Sequence, residues 1–213
     1  MPRLPSDTVL MVVDVQMAID DPAWGPRNNP DAETKIAALI AAWREAAMPL
    51  VHVRHDSVAP RSPYRPGTPG HAFKPAALPR DGEAVVGKTV NSAFVGTALE
   101  EMLTQRGATT LAVCGVLTHN SVEATVRHAG NLGYRVFVAA DACWAVDVRD
   151  LTGRVWSAED VHQLSLAVMH REYATVTDTA ALLQGALVAR AVKAMRKGRK
   201  RQITAVIPGR RES

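Results

Sequence analysis

The chain has 213 residues with 47% apolar and 22% charged side chains, enough for one domain with a sizeable core. No apolar run reaches the length of a membrane span, no long apolar h-region opens the chain as a secretory signal would, and two cysteines do not make a disulfide framework. The net charge of +4 is uneven: nine basic residues and one acid from Arg190 onward put that end at +8 and leave the rest at −4. A basic end without interleaved aromatics reads as a solvated helix end and tail rather than a nucleic-acid surface.

In chain order, Val9–Asp14 reads as a parallel strand buried on both faces. Asp31–Ala47 has Ile36, Leu39, Ile40 and Trp43 at helical spacing with Pro30 just ahead. Leu50–Arg54 is a second strand, and Asp56–Gly82 a Pro- and Gly-rich loop too long for a plain connector. Ala84–Val86 is a short strand leading to Lys88. Thr97–Arg106 is a helix ended by Gly107. Thr110–Cys114 is a strand, Ser121–Leu132 a helix closed by Gly133, and Tyr134–Ala139 a strand. Ser157–His170 is a helix with Ser157 as N-cap and acids in its first turn. Tyr173–Val176 is the last strand and Thr179 opens the last helix; Arg199–Ser213 lacks helical apolar periodicity.

Six strands alternating with helices predict a three-layer α/β/α domain over about residues 1–190, with a parallel six-stranded sheet and a basic tail at 191–213. No Gly-rich dinucleotide fingerprint follows the first strand and no P-loop is present. Sites in such sheets lie beyond the carboxyl ends of the strands. Asp14, the His55/Asp56 pair, Lys88, the turn Leu117–Ser121 and Asp141 all fall at such ends.

The turn between Cys114 and Val122 carries the most chemistry. A helix N-terminus exposes free amides and partial positive charge, so a side chain there can attack a carbonyl while amides hold the oxyanion. Ser121 occupies that place; as an ordinary residue it would simply cap the helix. Asp14 closes an apolar strand, where burial raises a carboxyl pKa unless a cation pairs with it, and Lys88 is the natural partner. That pair next to a hydroxyl supplies a proton acceptor and a charge stabiliser, or else is a structural ion pair. Cys114 and Cys143 read as packing.

These motifs stand in a fixed order: Asp14-x-Gln16 after the first strand, Lys88 before Ser92-Ala93-Phe94, and Gly115-x-x-Thr118-x-x-Ser121-Val122-x-x-Thr125. Together they resemble the isochorismatase-like hydrolases, also called the cysteine hydrolase superfamily, over about Leu4 to Leu187. The resemblance implies hydrolysis of a small molecule by a homo-oligomer in the cytoplasm, with Asp14 and Lys88 at the centre. Ser121 stands where the amidohydrolases of the group have a nucleophilic Cys. Isochorismatases of the group hydrolyse a vinyl ether without that Cys, the Asp supplying a proton. Ser121 is therefore a nucleophile, a group that orients water, or a cap. The leading expectation is a hydrolase of a small amide, ureide or related C–N compound through Asp14, Lys88 and Ser121, with a vinyl ether hydrolase or a degenerate binding protein of the same fold as the alternatives.

By the same resemblance a cis peptide joins Val116 and Leu117 and turns the Leu117 amide toward the oxyanion beside that of Ser121. Gln16, Trp24, His55, Phe94, His119 and Asn120 are expected around the substrate, with Trp144 a further cover or a packing residue. Nicotinamidases of the group hold a metal through an Asp-x-His with further His. His52, His55, Asp56 and His71 do not have that spacing, so neither metal nor cofactor is expected.

Overall fold

A computed structural model describes the backbone of residues 4–206 and the side chains of residues 4–195. Six strands form one parallel sheet: β1 (Val9–Val13), β2 (Leu50–His55), β3 (Ala84–Lys88), β4 (Thr110–Val116), β5 (Arg135–Trp144) and β8 (Thr175–Thr177). Their spatial order is β3-β2-β1-β4-β5-β8. Every residue of β1 and β4 is buried, as strands covered on both faces require. The chain moves outward from β1 through β2 to β3, then returns to β4 on the other side of β1. The crevice at that reversal, between the carboxyl ends of β1 and β4, is where ligands meet such sheets.

The helices are α1 (Ala32–Glu45), α2 (Leu99–Gln105), α3 (Glu123–Asn131), α4 (Ala158–Met169) and α5 (Thr179–Val206). α1 packs on α5, and α3 packs on α4. α1 buries Ile36, Leu39, Ile40 and Trp43, the four residues whose spacing announced it. Ser157 caps α4 by accepting from the Asp160 amide. Gly115 sits at φ 126°, and a Cβ there would lie 2.1 Å from the Val13 carbonyl oxygen, so only glycine lets β4 close on β1 beside the crevice. No helix among the described residues is long and apolar enough to cross a membrane.

Three features differ from the sequence reading. β5 runs on to Trp144, five residues past Ala139, and its pairing with β4 shifts between Val113 and Gly115. A short antiparallel ribbon, β6 (Val148–Arg149) and β7 (Val155–Trp156), occupies a segment with no strand pattern. α5 extends to Val206 where apolar periodicity had run out, because Ala, Lys, Arg and Gln favour helix without an apolar face. The boundary placed at residue 190 thus falls inside a helix. Arg190 bonds Glu45 at 3.0 Å and Lys193 donates to the Ala47 carbonyl at 2.8 Å, so the basic end begins docked on α1. Residues 207–213, with Arg210 and Arg211, lie outside the described residues.

Candidate active site

Three strand ends bring Asp14, Lys88 and Ser121 together at the β1–β4 crevice. Asp14 follows β1 directly, in a left-handed conformation (φ 54°) that Asp tolerates better than most residues. Its amide donates to the Val53 carbonyl at 2.9 Å, which fixes the turn against β2. Lys88 is the last residue of β3, in register with His55 of β2. Ser121 lies in a single π-helical turn, Thr118–Val122, that joins β4 to α3; such turns recur at functional sites. The Val122 amide reaches back to the Leu117 carbonyl at 3.2 Å, and the preceding Val116–Leu117 peptide is cis.

The Lys88 ammonium donates to Asp14 Oδ2 at 2.6 Å and to Ser121 Oγ at 3.2 Å, and faces His55 Nδ1 at 3.3 Å. All three side chains of the centre are buried. Burial drives the Asp14 carboxyl above its usual 3.8, against the opposing pull of Lys88 and a smaller one from the Ser121 hydroxyl. Its second oxygen, Oδ1, is buried without a hydrogen-bond partner. His55 is pushed down to about 4 by burial and then by Lys88, so its ring is neutral near pH 7 and Nδ1 accepts from the lysine. Ser121 makes no capping bond for either helical turn beside it; its hydroxyl is turned to Lys88 instead.

The centre opens into a cavity of about 130 Å³. Val116, Leu117, Asn120 and Ser121 line it from the β4–α3 turn, together with Asp14, Trp24 and His55. Ser62, Tyr64 and Asn91 complete it. Tyr64 meets His55 edge-on at 5.6 Å and Trp24 at 6.3 Å. Sequence reasoning missed those last three residues. Ser62 and Tyr64 ride on the long loop, whose path is set by Lys74 pairing with Asp20 (2.5 Å) and Glu33 (2.9 Å). The length and Pro content of that loop were the only signal of their presence.

Three residues expected around the substrate lie elsewhere. Gln16 is wholly buried and clamps backbone: its amide donates to the carbonyls of His55 (3.1 Å) and His71 (2.9 Å) and accepts from the His55 amide (2.7 Å). Phe94 packs between the rings of His128 and Tyr134, 5.2 and 6.0 Å away, outside the cavity lining. His119 points into a separate groove with Glu123, Trp156 and Leu164. Trp144 is buried beneath Arg27, whose guanidinium carbon sits 4.5 Å from the ring centre.

The cysteines and the histidines other than His55 lie outside the cavity lining. Cys114 and Cys143 are buried thiols; burial lifts both, Cys143 to about 12. His52 bonds Glu83 and His71 bonds Asp56. Among the described residues no group of three His, Cys, Asp or Glu converges as a metal would need. Behind the turn, α4 braces Thr118 at both ends. His162 bonds its hydroxyl at 2.8 Å, and Ser165 donates to its carbonyl at 3.1 Å while also bonding Glu123.

Comparison with known proteins adds a family context. The isochorismatase domain model matches residues 8–181. A crystal structure described as a hydrolase of the isochorismatase family from Chromobacterium violaceum superposes with a TM-score of 0.84 at 52% identity, covering 87% of this chain and 98% of that one. The uncharacterized isochorismatase family protein YrdC of Bacillus subtilis is 40% identical over 174 residues, 82% of this chain and 93% of its own. The ureidoacrylate amidohydrolase RutB of Methylobacterium radiotolerans is 27% identical over 83% of this chain and 78% of its own.

Proposed function

The chain belongs to the isochorismatase family of hydrolases, and from that premise we propose that it hydrolyses a small amide or ureide with Ser121 as nucleophile and Asp14 as its base. One observation carries this reading: Lys88 holds one oxygen of Asp14 and the Ser121 hydroxyl from the same ammonium, while the other Asp14 oxygen stays free. A serine hydroxyl is a weak acid and needs a true general base. A carboxylate whose pKa is lifted by burial is a stronger base than an ordinary Asp.

In the proposed sequence Asp14 takes the Ser121 proton as Oγ attacks the acyl carbon. The oxyanion forms against the amides of Leu117 and Ser121, beside the partial positive end of α3. Asp14 then returns the proton to the departing nitrogen and the C–N bond breaks. Asp14 next deprotonates a water as that water attacks the acyl carbon, and returns the proton to Ser121 Oγ as the acyl C–Oγ bond breaks and the acid leaves. The similarity to RutB, a ureidoacrylate amidohydrolase, supports the C–N preference.

A second reading has one observation behind it. The raised Asp14 pKa would also let its acid form protonate a vinyl ether, with no covalent step and no need of Ser121. We further read the protein as a cytoplasmic homo-oligomer without a cofactor. Free Cys114 and Cys143 suit a reducing compartment, and the exposed Leu164 and Val168, which share a groove with Val161 and Trp156, suit a subunit contact.

The two chemistries part in one experiment. Brief incubation with 4-nitrophenyl butyrate, acid quench and peptide mass spectrometry are expected to show a butyryl group on Ser121, absent from Ser121→Ala. Ser121→Ala is expected to lose roughly 10³-fold or more in kcat/KM on a turned-over amide. A loss below about tenfold, about 1.4 kcal/mol in the barrier, excludes the nucleophile.

A further inference from the structure

Resting on the amide reading above, we propose that the cavity selects an uncharged acyl head of roughly benzene size and rejects the same head when it carries a carboxylate.

Lys88 is the cation of the site, and an ammonium has three hydrogens. They face three partners: Asp14 Oδ2, Ser121 Oγ and His55 Nδ1. No hydrogen is left for an anion on the substrate. Lys88 and Asp14 cancel in charge, and His55 is neutral near pH 7, so the centre as a whole is neutral. Among the described residues the cavity lining contains no Arg or Lys. Arg54 pairs with Asp56 at 2.7 Å and Lys74 with Asp20 and Glu33, while Arg61 and Arg65, which flank Ser62 and Tyr64 in the chain, are exposed and line no part of the cavity.

What the lining does offer is neutral. Tyr64, Asn91 and Asn120 present a hydroxyl and two amides against apolar Trp24 and Leu117. Burial raises the Tyr64 pKa far above neutrality, so its hydroxyl keeps its proton. A carboxylate entering this space would lose its water and gain no cation, and an unpaired buried charge is among the most costly arrangements in a protein. Size points the same way. A cavity of about 130 Å³ is close to the ~150 Å³ engineered void that accepts benzene. The same neutrality favours turnover: hydrolysis converts a neutral amide into a carboxylic acid, which ionises and is expelled by the pocket that admitted its precursor.

The test uses succinamide and succinamate, equal in size and shape and different in one charge, with butyramide as a smaller neutral amide. Ammonia release from the wild-type chain is expected for both neutral amides, with kcat/KM for succinamate roughly 100-fold lower or less. Asn91→Lys, which puts a cation at the exposed rim, is expected to narrow that gap at least tenfold by raising succinamate turnover. Equal or better turnover of succinamate by wild type overturns the charge selection while leaving the amide reading intact. Turnover of none of the three, with Ser121 unmodified by 4-nitrophenyl butyrate, overturns the amide reading and this selection with it.

Discussion

Asp14 and Asp141 occupy matching places and do opposite things. Each lies at the carboxyl end of parallel pairing, Asp14 after β1 and Asp141 just past the last pair of β5 with β8, with β4 between the two strands. Asp141 has both oxygens filled. Oδ1 accepts from the Thr179 amide (2.7 Å) and hydroxyl (2.9 Å), and Oδ2 pairs with Lys35 at 3.0 Å. Burial works to raise its pKa, but Lys35 and Thr179 together outweigh it and hold the group below 3.8. Asp14 has one cation, one free oxygen and deeper burial, and burial wins. On the proposed reading, position on the sheet does not make a carboxylate reactive; an unfilled oxygen in a dry place does.

The two also differ in sign as pH changes. The raised folded pKa of Asp14 contributes stability below 3.8 that is lost as pH rises through that pKa, so its ionised form at neutral pH is a cost to the fold. The lowered folded pKa of Asp141 contributes stability above 3.8 that is lost as pH falls through it.

The largest expected effect is at Asp14. Asp14→Asn keeps the shape and removes the base, and is expected to lower kcat/KM on a turned-over amide by roughly 10³-fold or more with an unchanged circular dichroism spectrum. Activity within tenfold of wild type would move the base elsewhere. The smallest effect is at Asp141. Asp141→Asn is expected to leave kcat/KM within about threefold and to cost about 1 kcal/mol of stability, the scale of a lost helix cap with a partly exposed ion pair. Denaturant unfolding measures the second figure, and a collapse in turnover without loss of stability would show that Asp141 serves the chemistry.

The sequence placed both acids at strand ends and singled out Asp14 through its motif and Lys88, but it showed nothing of what fills the oxygens of either. The sheet was legible because its central strands are continuous apolar runs and its helices carry clear periodicity. That Asp14, Lys88 and Ser121 would meet at one place was legible from the order of the motifs that carry the family resemblance, with their position at strand ends in support. The partners that decide each environment come from far along the chain. Thr179 reaches Asp141 across 38 residues and His162 reaches Thr118 across 44. Tyr64 lines the cavity from a long loop that Lys74 and Gln16 tie to the rest of the fold. Gln16 and Phe94 sit where the motif order pointed, but their side chains turn to backbone and to neighbouring rings. Local pattern reports which strand end a residue occupies, not which way its side chain turns.

Side-chain carboxyl ¹³C shifts of Asp14 and Asp141, assigned by their Asn variants and followed by NMR from neutral to acid pH within the folded range, test the contrast most directly. Asp14 is expected to take up its proton above 3.8 while Asp141 is still ionised. Coincident titration, or Asp141 protonating first, contradicts the assignment of Asp14 as the buried base.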